Sequence, residues 1–198
     1  MSTVVMSERV WSPPTDRLRA AARTAALVTG FALLTGALAQ FELRLSFTPV
    51  PITGQTLGVL LAGGVLGSRR GAASQALYWL LGLIGLPFYS GGAHGWTVAS
   101  GATFGYFVGF VVAAGTIGYL AERRLDRNLA SSVAGMALGS VLIYGFGAAW
   151  LAHSLGVPVA TGDVNALSLG VTPFLIGDLL KLTIAGALLS AAWVLLDR

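Results

Sequence analysis

Charged side chains gather at intervals along this chain and leave long apolar runs between them. No Asp, Glu, Lys or Arg occurs from Ala102 to Ala121, or from Leu129 to Ala152. A run of about 20 apolar residues, rising about 1.5 Å each as a helix, matches the hydrocarbon thickness of a bilayer. Only 10% of residues are charged and 55% are hydrophobic, so a water-soluble surface cannot be made from this composition. A soluble enzyme and a disordered tail are excluded. With no cysteine, so are a disulfide scaffold and a thiolate metal site.

The apolar stretches fall at approximately 20–40, 54–67, 72–86, 102–121, 129–152 and 172–196. They predict an all-α, polytopic membrane protein with six transmembrane helices. Residues 1–16 are polar, carry Pro13-Pro14, and read as a flexible cytoplasmic tail ahead of a membrane domain over 17–198. Ala37-Leu38-Ala39 also resembles a leader cleavage site. Gln40 onward continues without a soluble mature domain, so 20–40 reads as a retained first span. Pro49-Val50-Pro51 cannot lie in a helix interior, which makes 41–53 a loop. Ser68-Arg69-Arg70-Gly71 reads as a tight basic turn, and 87–101 and 153–171 read as two further long loops. Arg9, Arg17, Arg19, Arg23, Arg69, Arg70, Arg123, Arg124, Arg127 and Arg198 fall on one side, against Arg44 alone on the other. The excess of basic residues on the cytoplasmic side places both termini inside and the three long loops outside. It also accounts for the net charge of +4 without nucleic acid binding.

Gly177-Asp178-Leu179-Leu180-Lys181 is the sharpest local feature. Residues three apart share a helix face. Counted from Thr172, Asp178 and Lys181 lie about 9 and 14 Å down the helix. An ionised group in the hydrocarbon costs about 2.5–3.5 kcal/mol, and such groups are functional by default. A ligand site is the favoured reading, and a mutual ion pair that merely joins helices is the plainer one.

Glycines at positions 101, 105 and 109, and pairs such as Gly63/Gly67 and Gly135/Gly139, give smooth stripes that serve close helix packing. Ala22 and Ala26 form a small-residue pair at the cytoplasmic end of the first span, for which bland packing and a partner contact are both open. Phe47, Phe88, Tyr89, Trp96 and Tyr106 lie in the outer loops or at span mouths. Each alone fits an interfacial belt, while their concentration suits a flat apolar ligand. His94 lacks a second nearby His or Cys for a metal, and no Walker A loop is present, so any nucleotide-driven step needs another subunit.

Several segments together resemble the BioY family, the biotin-binding S components of energy-coupling-factor (ECF) transporters. The resemblance covers about residues 20–196 and rests on 49–63 (PVPITGQTLGVLLAG), 67–72 (GSRRGA), Gly82 to Pro87, Gly105-Tyr106 with Gly109-Phe110, and Gly177-Asp178 with Lys181. The chain departs from the family pattern Gly-Pro-Thr-Gly-Gly-Tyr at Ala102 and Phe104, and Phe41–Thr48 is longer and more charged than usual. The resemblance implies six helices, an outward-facing biotin pocket capped by the first outer loop, and transport without catalysis or a cofactor. It assigns Asp178, Lys181, Tyr106, Gln55, Ser90 and Gly91 to biotin, and Ala22 and Ala26 to the transmembrane coupling subunit. It further implies two cytoplasmic ATPase subunits, reorientation of the loaded protein, and residence in the cell membrane of a prokaryote. A solitary biotin carrier working without ATPases, or an S component for another vitamin, remains the alternative. A carboxylate at Asp178 suits the ureido N–H groups of biotin, and Lys181 suits either the ureido carbonyl or the ligand's carboxylate.

Overall fold

The Asp16 carboxylate starts the first long helix by accepting the backbone N–H groups of Leu18 and Arg19, both at 3.3 Å. In the computed structural model, which describes residues 5–196, that helix is α2 (Arg17–Ala39), preceded by a short α1 (Met6–Val10). A hairpin of β1 (Glu42–Leu43) and β2 (Ile52–Thr53) follows, with Glu42 opposite Thr53 and Leu43 opposite Ile52. The prolines at 49 and 51 sit in its connecting loop, where no ladder donor is needed. Next come α3 (Gln55–Leu66), α4 (Ser68–Leu83), a one-turn α5 (Trp96–Ala99), α6 (Phe104–Glu122) and α7 (Leu129–Leu155). The short α8 (Ala166–Gly170) leads through a 3-10 turn at Thr172–Phe174 into α9 (Leu175–Leu196). The architecture is helical with one minimal hairpin, and its six longer helices fall on the expected apolar stretches. Four segments, Arg17–Ala39, Phe104–Glu122, Leu129–Leu155 and Ala166–Leu196, are long and apolar enough to cross a membrane.

The surface is apolar. Ile176, Leu179, Leu180 and Leu195 on α9, and Val141 on α7, are each more than half exposed. Inside, one cluster at the loop end includes Tyr78, Tyr89, Phe107, Phe110 and Ile143. A second, at the end carrying Val5 and Leu196, packs Met6, Leu60, Ile117, Met136, Leu182, Leu189 and Trp193. Helices α6 and α7 approach closely through the expected glycines. A Cβ on Gly109 would lie 2.8 Å from Ile143 Cα.

Two expectations are corrected. The basic segment 68–71 is not a turn but the first turn of α4. Gly67, at φ +81°, makes the reversal alone, and Glu122 Oε1 accepts the Ser68 N–H at 2.8 Å to cap the new helix. Residues 5–11 are docked rather than a flexible tail, and residues 1–4 lie outside the described part. Val5 and Met6 are buried, and the Glu8 carboxylate pairs with Arg70 at 2.7 Å. Arg23 reaches from α2 to donate to the carbonyls of Ser7, at 2.6 Å, and Trp11. Read as one more cytoplasmic arginine, Arg23 is a buried strut.

Candidate functional site

The 3-10 turn at Thr172–Phe174 ends where α9 begins, and this sets Asp178 in the first turn of α9. There the positive end of the helix dipole favours its charge. Asp178 is 5% exposed and held by three donors. Lys181 Nζ lies 2.6 Å from Oδ1, the Thr56 hydroxyl donates to Oδ1 at 3.0 Å, and the Tyr144 hydroxyl donates to Oδ2 at 2.6 Å. Lys181, one turn further along, also donates to the Thr53 carbonyl at 2.7 Å, which ties α9 to the hairpin. The neighbouring Gln55 opens α3. Its side-chain oxygen accepts from the Thr53 hydroxyl at 2.7 Å, and its amide donates to the Tyr78 hydroxyl.

These groups face a cavity of about 400 Å³, a size suited to a small organic ligand. Its polar lining includes Asp178, Lys181, Gln55, Thr53, Thr56 and Tyr144, and its apolar lining includes Tyr89, Tyr106, Phe107, Phe110, Ile143 and Phe174. The Tyr106 hydroxyl donates to the Gly170 carbonyl at 2.7 Å, which fixes the ring against the wall. Tyr89 and Phe107 stand 4.9 Å apart, centroid to centroid. The buried Tyr89 hydroxyl donates to the Trp79 carbonyl at 2.5 Å, and burial pushes its pKa up to about 12.

Three loops meet over the cavity. Thr48 donates to the Leu169 carbonyl at 2.6 Å, joining the first loop to α8. The Ser90 hydroxyl donates to Glu42, joining the first loop to the second. This bond, and after it Arg44, hold the Glu42 carboxyl below the usual carboxylate range against the opposing pull of partial burial.

Of the residues singled out in the sequence, Gln55, Ser90, Tyr106, Asp178 and Lys181 line the cavity, and Gly91 does not. Gly91 serves the loop instead. Its φ is +64°, and a Cβ there would collide with the Glu42 carboxylate and the Arg44 guanidinium. Phe47 and Trp96 point outward, at 59% and 68% exposure. Phe104 packs with Trp79, at 5.9 Å, and Trp150, at 5.0 Å, away from the cavity. The departure at Phe104 is thus absorbed in an aromatic cluster outside the cavity, while Thr103 lines it. Ala22 and Ala26 are exposed on α2, remote from the cavity lining. Thr56 and Tyr144 escaped the sequence reading. The only sign of Tyr144 was a phenol placed within an apolar run instead of at its end.

An apolar-surfaced helical bundle whose cavity floor holds an ion pair is a membrane protein shaped to hold a small molecule. The chain belongs to the BioY family, whose sequence profile matches residues 8–198. The biotin transporter BioY of Rhizobium etli is 38% identical over 159 residues, covering 77% of this chain and 82% of that one. Its counterpart in Rhodobacter capsulatus is 36% identical over 166 residues, covering 77% and 87%. The crystal structure of an S-component for biotin from an ECF-type ABC transporter shares the fold, with a TM-score of 0.79 at 23% identity, over 90% of this chain and 94% of that one.

Proposed function

We propose that this protein is a biotin-uptake S component that captures biotin from the outer side, in the cavity above Asp178 and Lys181. Membership of a family with biotin transporters among its members supports the ligand. The observation that carries the chemistry is the hydrogen-bond inventory at the cavity floor. An ionised carboxylate offers about four acceptor sites and an ammonium three donors. Asp178 accepts from Lys181, Thr56 and Tyr144, which leaves one acceptor site. Lys181 donates to Asp178 and Thr53, which leaves one hydrogen. One free acceptor beside one free donor matches the N–H and C=O edge of a ureido ring. Gln55 and Ser90 add polar contacts, and Tyr106 with the other aromatic walls takes the thioether ring. Charge-assisted hydrogen bonds in a water-poor cavity give the affinity.

In this reading all six longer helices lie across the cell membrane of a prokaryote, with both termini cytoplasmic. The arginines at the ends of α2, α4, α6 and α7 support that orientation. The exposed Ala22 and Ala26 form a smooth face for a transmembrane coupling subunit, and two ATPases supply the energy for reorientation. The protein performs no covalent chemistry.

Calorimetric titration of the detergent-purified protein with biotin tests the reading, with thiamine and riboflavin as controls. One-to-one binding of biotin alone is the expected result. A folded sample that binds thiamine or riboflavin in its place overturns it.

A further inference from the structure

Arg44 stands directly after β1 and lines the cavity at its loop end. Its Nε donates to Glu42 Oε1 at 3.0 Å, and Glu42 is held in turn by Ser90. That contact uses one N–H of the guanidinium and fixes its plane. Among the described residues no acceptor takes the hydrogens of the two terminal nitrogens. The charged residues lining the cavity are Arg44, Asp178 and Lys181. Asp178 and Lys181 neutralise each other at 2.6 Å; Glu42 offsets part of the Arg44 charge from outside the lining, and the open edge of the guanidinium is the positive group that still faces the cavity. Glu42, whose carboxylate would repel an anion, is not a lining residue.

We propose, resting on the biotin reading above, that Arg44 is the receptor for the carboxylate of the bound ligand and that Glu42 is its positioning residue. A ligand with a ureido ring at one end and an aliphatic carboxylate at the other then meets complementary groups at both ends. The ring lies on Asp178 and Lys181, and the carboxylate on the open edge of the guanidinium. Lys181 has one hydrogen left after Thr53 and Asp178, and in the pose above the ureido carbonyl takes it, so the carboxylate needs another cation. A guanidinium suits the task better than an ammonium, since its planar fork binds both carboxylate oxygens. Gly91 keeps the place clear, because any side chain there would strike both Glu42 and Arg44.

The test compares biotin with biotin methyl ester on the full-length protein and on R44Q, R44K and E42Q. The Arg44 side chain is 69% exposed, so its replacement leaves the fold intact. Arg44→Gln is expected to weaken biotin roughly five- to tenfold, a loss kept modest by solvent screening, and to leave the ester within about twofold. R44K should fall between, and E42Q should weaken biotin but not the ester. Added salt should weaken biotin in the wild type more than in R44Q. Equal losses for biotin and ester in R44Q, or no loss for biotin, overturn the assignment of Arg44 while the biotin reading stands. Wild-type protein that binds neither ligand overturns both.

Discussion

Tyr144 and Asp178 are 34 residues apart, and the phenol of one donates to the carboxylate of the other at 2.6 Å. This bond links the middle of α7 to the first turn of α9 across the cavity. It gives Asp178 Oδ2 its only donor among the described residues. Tyr144→Phe strips that donor from a buried carboxylate, at a cost of about 1–3 kcal/mol. We expect a lower unfolding temperature without added biotin and a larger biotin-induced rise than in the wild type, because a ureido N–H can replace the phenol. Thermal scans with and without biotin check both.

Lys181→Ala leaves Asp178 buried beside two hydroxyl donors and no cation. Breaking a buried pair from one side costs about 3–5 kcal/mol. Biotin affinity should fall by at least about a hundredfold. In the double variant Asp178→Asn, Lys181→Met the uncompensated charge is gone. It should regain stability without regaining affinity. Gel filtration and calorimetry separate the two effects.

Helix packing gives a contrast between two glycines. At Gly109 a Cβ would sit 2.8 Å from Ile143 Cα, whereas at Gly177 nothing lies within 4 Å. Gly109→Ala must force α6 and α7 apart, a change that costs about 1–3 kcal/mol. Gly177→Ala should be neutral or stabilising by up to about 1 kcal/mol through helix propensity. Denaturation of both variants in the same detergent decides.

Arg23→Gln removes the strut beneath α1 but touches nothing in the cavity lining. Hydrogen exchange at residues 5–11 should speed up by an order of magnitude or more, with biotin affinity unchanged. Mass-resolved exchange against calorimetry tests this.

Asp126 is buried in the turn between α6 and α7, where Trp193 donates to it at 2.5 Å. Burial raises its pKa, against the lowering effects of the Trp193 bond, a backbone hydrogen bond and Arg127. A carboxyl whose folded pKa lies above its unfolded value binds protons better when folded. Its contribution to stability therefore declines as pH rises from about 4 through the raised value. Asp126→Asn removes that slope. The difference in unfolding temperature between wild type and variant should shift in favour of the variant as pH rises.

Asp178 and Lys181 were legible in the sequence because two charges in an apolar run have no cheap explanation. Their hydroxyl partners were not, since a Thr or Tyr costs little in a membrane helix and gives no periodic signal. Gly91, expected at the ligand, lies against Glu42 and Arg44 and outside the cavity lining, and its use was hard to read for a related reason. A loop glycine next to a candidate site serves equally to approach a ligand or to admit a neighbouring side chain, and only the position of Glu42 and Arg44 separates these uses. The long helices were read nearly to their ends wherever charge bounded them. The α3–α4 junction was not, because a single glycine at positive φ did the work expected of four residues.

The packing around Met6 has an electrical consequence. Leu60, Met136 and Leu189 are each 1% exposed, so a layer of closely packed hydrocarbon side chains lies beneath the cavity. A layer of this kind solvates an ion poorly and acts as an insulator in series with the cavity. On the uptake reading proposed above, that layer lets an outward-facing pocket open to water while the proton gradient and membrane potential across the bilayer are preserved.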